Sequence, residues 1–269
     1  MKTDNVSPSA LPDWLLGRGR LFVTTAEIAE LTGLSEPAVS VHLHRARAAN
    51  KIVSVTKGGW VPVPLVYRAA GAPPPIHYID YMMKHLGHPY YVGFLSAARI
   101  HGASHQVPMV LQVVTPAPLR DRQIGANRLH FIRRSDTARR PTQQRDTEAG
   151  AVTISTLETT VLDIVETPER AAGLDNVANV LGEFIADGSI DVAALAESAT
   201  EYPRTVVQRT GWLLQHMADE VGERTDLAPL RPLVEGADYT LLDPRSASND
   251  GDRDPIWHVI MNTNVEHDL

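Results

Sequence analysis

The sequence contains no cysteine. Disulfides, thiolate metal sites and a cysteine nucleophile are therefore excluded, and a reducing cytoplasm suits the chain. No stretch approaches the roughly 18 to 20 apolar residues of a membrane span. The opening MKTDNVSPSALPDWLLGRGR has no apolar run long enough for a signal peptide. A cytoplasmic protein without membrane contact is expected. Neither the phosphate-cradling P-loop nor the dinucleotide glycine fingerprint is present. Lysine disappears after Lys84, which removes any catalytic scheme needing a lysine among the later carboxylates. Internal repeats and low-complexity tracts are missing too.

The 269 residues allow one large domain or two ordinary ones, and a hydrophobic fraction of 43% is enough to bury a core. The net charge of −7 hides a polarity: residues 1–145 carry +10 and residues 146–269 carry −17. That asymmetry has two readings, a nucleic-acid-facing front with an acidic rear, or a solvated acidic surface.

VTTAEIAELTG reads as a short helix. Thr24 or Thr25 caps it, Glu27 or Glu30 supports the early turns, and Gly33 ends it in a left-handed conformation. In SEPAVSVHLHRARAANK, Ser35 is placed to cap a second helix and Pro37 fits its first turn. Val39, Leu43 and Ala46 form its buried stripe. Ser40, His44 and Arg47 face away, with Val41 and Arg45 partly so. Ile52–Val55 and Trp60–Val63 then read as a hairpin around KGG. With an earlier helix at Leu11–Leu16, this is the order of a winged helix-turn-helix. A helix of about 10 to 12 Å diameter fits a DNA major groove about 12 Å wide. The expected DNA-binding residues are Ser35, Ser40, His44, Arg45, Arg47, Lys51 and, at the wing tip, Lys57. The competing reading is a three-helix domain with solvated arginines or a protein-contact role.

The prolines of YRAAGAPPPIH favour a stiff, extended spacer. The expected division is a winged helix-turn-helix over 1–67, a Pro-rich linker over 68–76, and a larger mixed α/β domain over 77–269, an α+β chain in total. In the last, DYMMKHLG and FLSAARIHG read as helices, Val107–Pro116 and Asn127–Arg134 as partner strands, and AVTIS as a further strand. Helices follow at Leu157–Glu166, Leu174–Asp187, Val192–Ser198 and Pro203–Val221. DYTLLD and PIWHVIMNTNV read as closing strands, and DPRSASNDGDRDP as a solvated loop without calcium-site spacing.

A second basic cluster spans residues 120–145, with 8 arginines and 2 aspartates. Arg120, Arg122, Arg128, Arg133, Arg134, Arg139 and Arg140 are candidates for a nucleic-acid or partner patch, because guanidinium binds phosphate bidentately. An arginine-rich soluble loop is the plainer reading. The pairs His85/His88 and His101/His105 have loose metal-like spacing, but Gly87 and Gly102 interrupt them and no carboxylate cluster completes them. Ser96 in GFLSAAR lacks the nucleophile-elbow pattern. No catalytic residue, metal or cofactor is expected.

YYVGFLSAARIHGASHQVPMVLQVVT resembles the entry to the C-terminal domain of AbiEi-type antitoxins, through Tyr91, Ser96, Ala97, Ala98, His101, Gly102 and the strand Val110–Thr115. The following segment is similar at Leu162, Asp163, Pro168, Gly173 and Leu174. VVQRTGWLLQHM and DPIWHVIMNTNV resemble the late helix and terminal strand. The resemblance implies a non-enzymatic antitoxin of a two-gene, phage-defence toxin–antitoxin system. Its N-terminal domain would bind inverted repeats in its own promoter as autorepressor. Its C-terminal domain would counter a nucleotidyltransferase-like toxin, directly or indirectly. Two half-sites can be filled by a dimer or by two monomers cooperating on DNA, and the absence of heptads favours a monomer in solution. Two other readings stay open: a ligand-responsive regulator, and a DNA-guided nuclease or transferase.

Overall fold

The structure, a computed structural model, describes residues 6–103 and 110–267. The chain divides into two compact units. The first takes the chain up to Tyr91, the stretch ending at Thr137, and Gln144–Thr153. The second takes the stretch from Val92, Ala138–Gln143, and the chain from Ile154 onward.

The first unit opens with α1 (Leu11–Leu16), β1 (Val23–Thr24), α2 (Thr25–Thr32), α3 (Glu36–Ala48), β2 (Ile52–Thr56) and β3 (Gly59–Pro62). Helix α2 starts in a capping box: the Thr24 hydroxyl accepts from the Glu27 N–H at 3.1 Å, and the Glu27 carboxylate accepts from the Thr24 N–H at 2.7 Å. Thr24, not Thr25, is thus the cap. Its replacement by alanine orphans one of the helix's first donors, and a loss of about 1 kcal/mol is expected in urea unfolding. Gly33 is left-handed, with φ 68°, and turns the chain into α3. Leu11, Leu15, Val23, Ile28, Val39, Leu43 and Ile52 form the core beneath these elements. Strand β1 was not anticipated from the sequence. It has only two residues and pairs antiparallel with β3, making a sheet of order β1-β3-β2.

Residues 68–76, expected as a stiff spacer, are built into this first unit. Ala72, Pro73 and Pro75 are buried. Beyond them come α4 (Ile79–Leu86), β4 (Tyr91–Val92), α5 (Phe94–Ile100), β5 (Val110–Thr115), β6 (Arg122–Ile124), β7 (Asn127–Arg133), β8 (Thr142–Thr147) and β9 (Gly150–Ser155). The strand expected from Val107 is seen from Val110; residues 107–109 lie outside the described residues. The first unit carries most of a six-stranded sheet of order β6-β7-β5-β4-β9-β8. Strands β5 and β7 pair in parallel in a six-residue register from Val110↔Arg128 to Thr115↔Arg133. Strand β6 folds back antiparallel on β7 across a turn at Gly125. That turn presses on the Pro-rich segment: the Ala126 N–H donates to the Ala70 carbonyl at 2.8 Å, and the Asn127 amide donates to the Pro73 carbonyl at 3.2 Å. A Cβ on Gly125 would lie 2.2 Å from the Ala70 carbonyl oxygen, so only glycine permits the approach.

The second unit is mainly helical. It contains α6 (Leu157–Glu166), α7 (Leu174–Ala186), α8 (Val192–Ala199), α9 (Arg204–Val221) and α10 (Arg231–Val234). Strands β10 (Thr240–Leu241), β11 (Asp252–Asp254) and β12 (Val259–Met261) close it as a small sheet of order β10-β12-β11. Strand β11 lies in the segment read from sequence as a solvated loop. Its three residues are paired with β12, and the Asp254 carboxylate accepts from the Ile256 and Trp257 N–H groups at 2.9 and 2.7 Å. Helix α9 packs on α6 and α7. Its apolar stripe of Val206, Val207, Leu213, Leu214 and Met217 is buried. Among the described residues no helix is long and apolar enough to cross a membrane.

Candidate nucleic-acid interface

Helix α3 puts two faces to different uses. Val39 and Leu43 are buried and Ala46 packs against the same core. One hundred degrees per residue then turns Ser40, Val41, His44, Arg45, Arg47 and Ala48 outward, and all six are exposed. Val41, in the middle of this polar face, is 51% exposed. An aliphatic group among donors is what a thymine methyl meets in a major groove. The sequence reading turned Val41 only partly outward, whereas at about 100° per residue it stands opposite the Val39, Leu43 and Ala46 stripe, as its exposure shows.

Ser35 occupies the N-cap position of α3 and is exposed, but its side chain makes no capping hydrogen bond. The expected cap is therefore a matter of backbone placement, with Pro37 in the first turn supplying the fixed φ. Glu36 sits in the same turn, favourable to the helix dipole and unfavourable to a phosphate there. Arg45 and Arg47 lie in the last turn, where cations complement the dipole.

Lys51 is half-buried and already engaged, with Nζ 3.9 Å from the Asp13 carboxylate, which also takes Arg68 at 3.5 Å. Lys57 is exposed on the β2–β3 turn. Gly58, with φ +72°, makes that turn possible, and the Gly58 carbonyl accepts from the Thr25 N–H at 2.9 Å. The Trp60 indole N–H donates to the Thr25 hydroxyl at 3.0 Å. The short wing is thus tied to the start of α2.

The second arginine cluster does not form one surface. Arg140 is 5% exposed; its guanidinium lies 3.5 Å over the Tyr202 ring and donates to the Glu201 carbonyl at 2.8 Å. Arg134 is half-buried beside the Asp136 carboxylate at 3.4 Å. Arg122 donates to the Val55 carbonyl of the wing strand. Burial lowers its basicity, partly offset by Tyr78. Each of these three is held by a partner within the fold. Arg128 is exposed but lies 3.3 Å from Asp121. Burial pushes the Asp121 carboxyl up, yet bonds from His130, the Phe131 N–H and Arg128 outweigh this and hold it below the ordinary carboxylate range. Arg120, Arg133 and Arg139 are exposed. No sequence signal separated Arg122 and Arg140 from the others, because their partners lie 67 and 61 residues away along the chain.

Two histidines of the loose metal-like pairs bond to backbone carbonyls. His85 makes a hydrogen bond of 3.2 Å to the Lys57 carbonyl, and His101 one of 2.9 Å to the Ser155 carbonyl. His105 lies outside the described residues. Among the described residues no group of three or more histidines and acids is arranged to hold a metal.

In the second unit, the residues that carried the family resemblance are largely interior. Ala97, Ala98, Leu162 and Asp163 are buried, and the Tyr202 hydroxyl donates to the Asp163 carboxylate at 2.8 Å. Ser155 and Thr160 share a 2.7 Å hydrogen bond under the start of α6.

No curated protein matches the chain in sequence. Among solved structures, the chain is similar to a crystal structure of the RV2827C protein from Mycobacterium tuberculosis, with a TM-score of 0.63 and 16% identity over 95% of this chain and 92% of that one. That likeness bears on fold. The model for sigma-70, region 4 matches residues 23–49, the span that holds α2, the Gly33 turn and α3. The model for the AbiEi antitoxin C-terminal domain matches residues 91–216. The chain thus carries a segment similar to a sigma-70 region 4 helix-turn-helix ahead of a segment similar to the AbiEi antitoxin C-terminal domain.

Proposed function

We propose that the protein represses its own promoter by laying α3 in the major groove of inverted repeats, and that it counters a cognate nucleotidyltransferase-like toxin. The observation that carries the DNA half is the outward face of α3, where Ser40, His44, Arg45 and Arg47 stand exposed on a helix whose opposite side is locked in the core. Ser40, His44 and Val41 supply base-edge contacts. Arg45, Arg47 and Lys57 supply phosphate contacts, Lys51 does so once released from Asp13, and Ser35 stands at the groove entry. The protein is a monomer in solution, and two copies fill the half-sites cooperatively. Residues 1–67 form the DNA-binding head and residues 77–269 serve the antitoxin role without catalysis. Exposed Arg120, Arg133 and Arg139 are available to a nucleic-acid or toxin partner.

The test is binding of the full chain to the duplex upstream of its own reading frame and to an unrelated duplex. His44→Ala is expected to lose about 1 kcal/mol or more on the promoter and little on the unrelated DNA, narrowing the specificity ratio. Unchanged promoter footprints for this variant would remove α3 as the reading element. For the toxin half, co-expression with the neighbouring reading frame should restore growth. Continued growth arrest would exclude that partner.

A further inference from the structure

The outer strand of the wing does not stand alone. Strand β2 is an edge of its own sheet, and β6 of the larger sheet runs beside it in the same compact unit. Between them lies an open groove of about 330 Å³, bordered by Ser54, Thr56 and Lys57 from the wing and by Arg122 and Gln123 from β6. Two of its lining residues are cations and none is an acid. The one carboxylate next in sequence, Asp121, is turned to β7, where it accepts from His130 at 2.7 Å and from the Phe131 N–H at 3.0 Å. Arg122 is pinned at one nitrogen by the Val55 carbonyl, so its guanidinium is held in place at the groove. His85 fixes the backbone at Lys57 from the other side, through the Lys57 carbonyl. The Ser54 hydroxyl is bound to the Thr56 carbonyl at 3.2 Å, which fixes it along the wall.

A pre-set guanidinium, a neighbouring ammonium and no opposing carboxylate make a site for a single anionic oxygen cluster. Lys57 belongs to the wing of the DNA-binding head, so the anion that reaches this groove most directly is a phosphodiester of bound DNA. We propose that the groove between β2 and β6 takes one backbone phosphate of the duplex that α3 reads, so that Arg122 and Gln123 of the larger sheet are part of the DNA interface. The proposal rests on the DNA reading above and extends it beyond the helix-turn-helix. Its contact is to backbone, so it adds affinity without sequence preference. Arg122, Lys57 and Gln123 act on one phosphate, and their effects are coupled.

The experiment uses the full chain with Gln123→Glu, Lys57→Gln and the double variant. Each is titrated with the upstream duplex and an unrelated duplex of equal length over a potassium chloride series. Gln123 and Lys57 are both exposed, and circular dichroism of each variant reports that the fold is kept. Gln123→Glu is expected to weaken both duplexes by about eightfold near 0.1 M salt and to flatten the log K against log salt slope by about 0.9, the value of one phosphate contact. The double variant should lose less than the product of the two single effects. Unchanged affinity for Gln123→Glu, or independent effects in the double variant, would overturn the groove site. Failure of the DNA reading looks different: the unsubstituted protein would then bind neither duplex, or Arg45→Ala would leave binding intact.

Discussion

Replacing Trp257 by alanine is expected to destabilise the protein by about 3–5 kcal/mol, read in urea or thermal unfolding. Trp257 is fully buried and lies against Gly211 in the middle of α9. The fit is close: a Cβ on Gly211 would come 2.1 Å from Cε3 and 2.2 Å from Cζ3 of the indole. Around this contact, α9 holds the small C-terminal sheet by polar straps. The Gln208 amide donates to the Asp238 and His258 carbonyls at 2.9 Å each, and Arg209 Nε donates to the Leu241 carbonyl at 2.8 Å. Removing the indole leaves a void beneath strands that are only two or three residues long, and such strands have few ladder bonds of their own. The reverse change makes the same point. Gly211→Ala is expected to cost about 1–3 kcal/mol by overpacking against the ring. In the Trp257→Ala background the same alanine meets no indole and should stabilise, because alanine is favoured over glycine in a helix by about 1 kcal/mol. A Trp257→Ala loss below about 1 kcal/mol, or a Gly211→Ala effect independent of Trp257, would contradict this packing.

The pair Arg45→Ala and Arg47→Ala together is expected to weaken DNA binding by about sixtyfold near 0.1 M salt and to lower the salt slope by about 1.8, as two lost phosphate contacts require. Both side chains are exposed in the last turn of α3, and no carboxylate pairs with either among the described ion pairs. The loss should be nearly equal for promoter and unrelated duplexes, since phosphate contacts carry no sequence. Stability should change little, because surface substitutions clear of caps and core cost within about 0.5 kcal/mol. Binding isotherms at several salt concentrations provide the check. An unaltered slope would mean these arginines do not lie along the backbone.

Much of the helical framework was legible because its signals are local. Thr24, Gly33 and Pro37 act within a turn of where they stand, and the Val39, Leu43 and Ala46 stripe needs only the helical period. Strand β8 was not legible. Its residues TQQRDT carry no alternation and all but the last are exposed, so their strand conformation comes from pairing at the sheet edge. The same holds for β11, where Asp252–Asp254 read as solvated acids. The candidate interface divides in the same way. The outward face of α3 followed from the period, whereas the fate of the arginines did not: Arg122 reaches a carbonyl 67 residues away and Arg140 one 61 residues away.

By itself, the order of residues determined most of the longer helices, where the helix-turn-helix lies, and which side of α3 is turned to solvent. These depend on interactions within a few residues, and spacing encodes them directly. The tertiary structure alone decided that the Pro-rich segment is packed within the first unit, that Arg122 is anchored to the wing strand and Arg140 to the Glu201 carbonyl, and that β6 stands beside the wing. Each of those outcomes is set by which distant groups compete for a buried donor or acceptor, and such competition leaves no period in the chain.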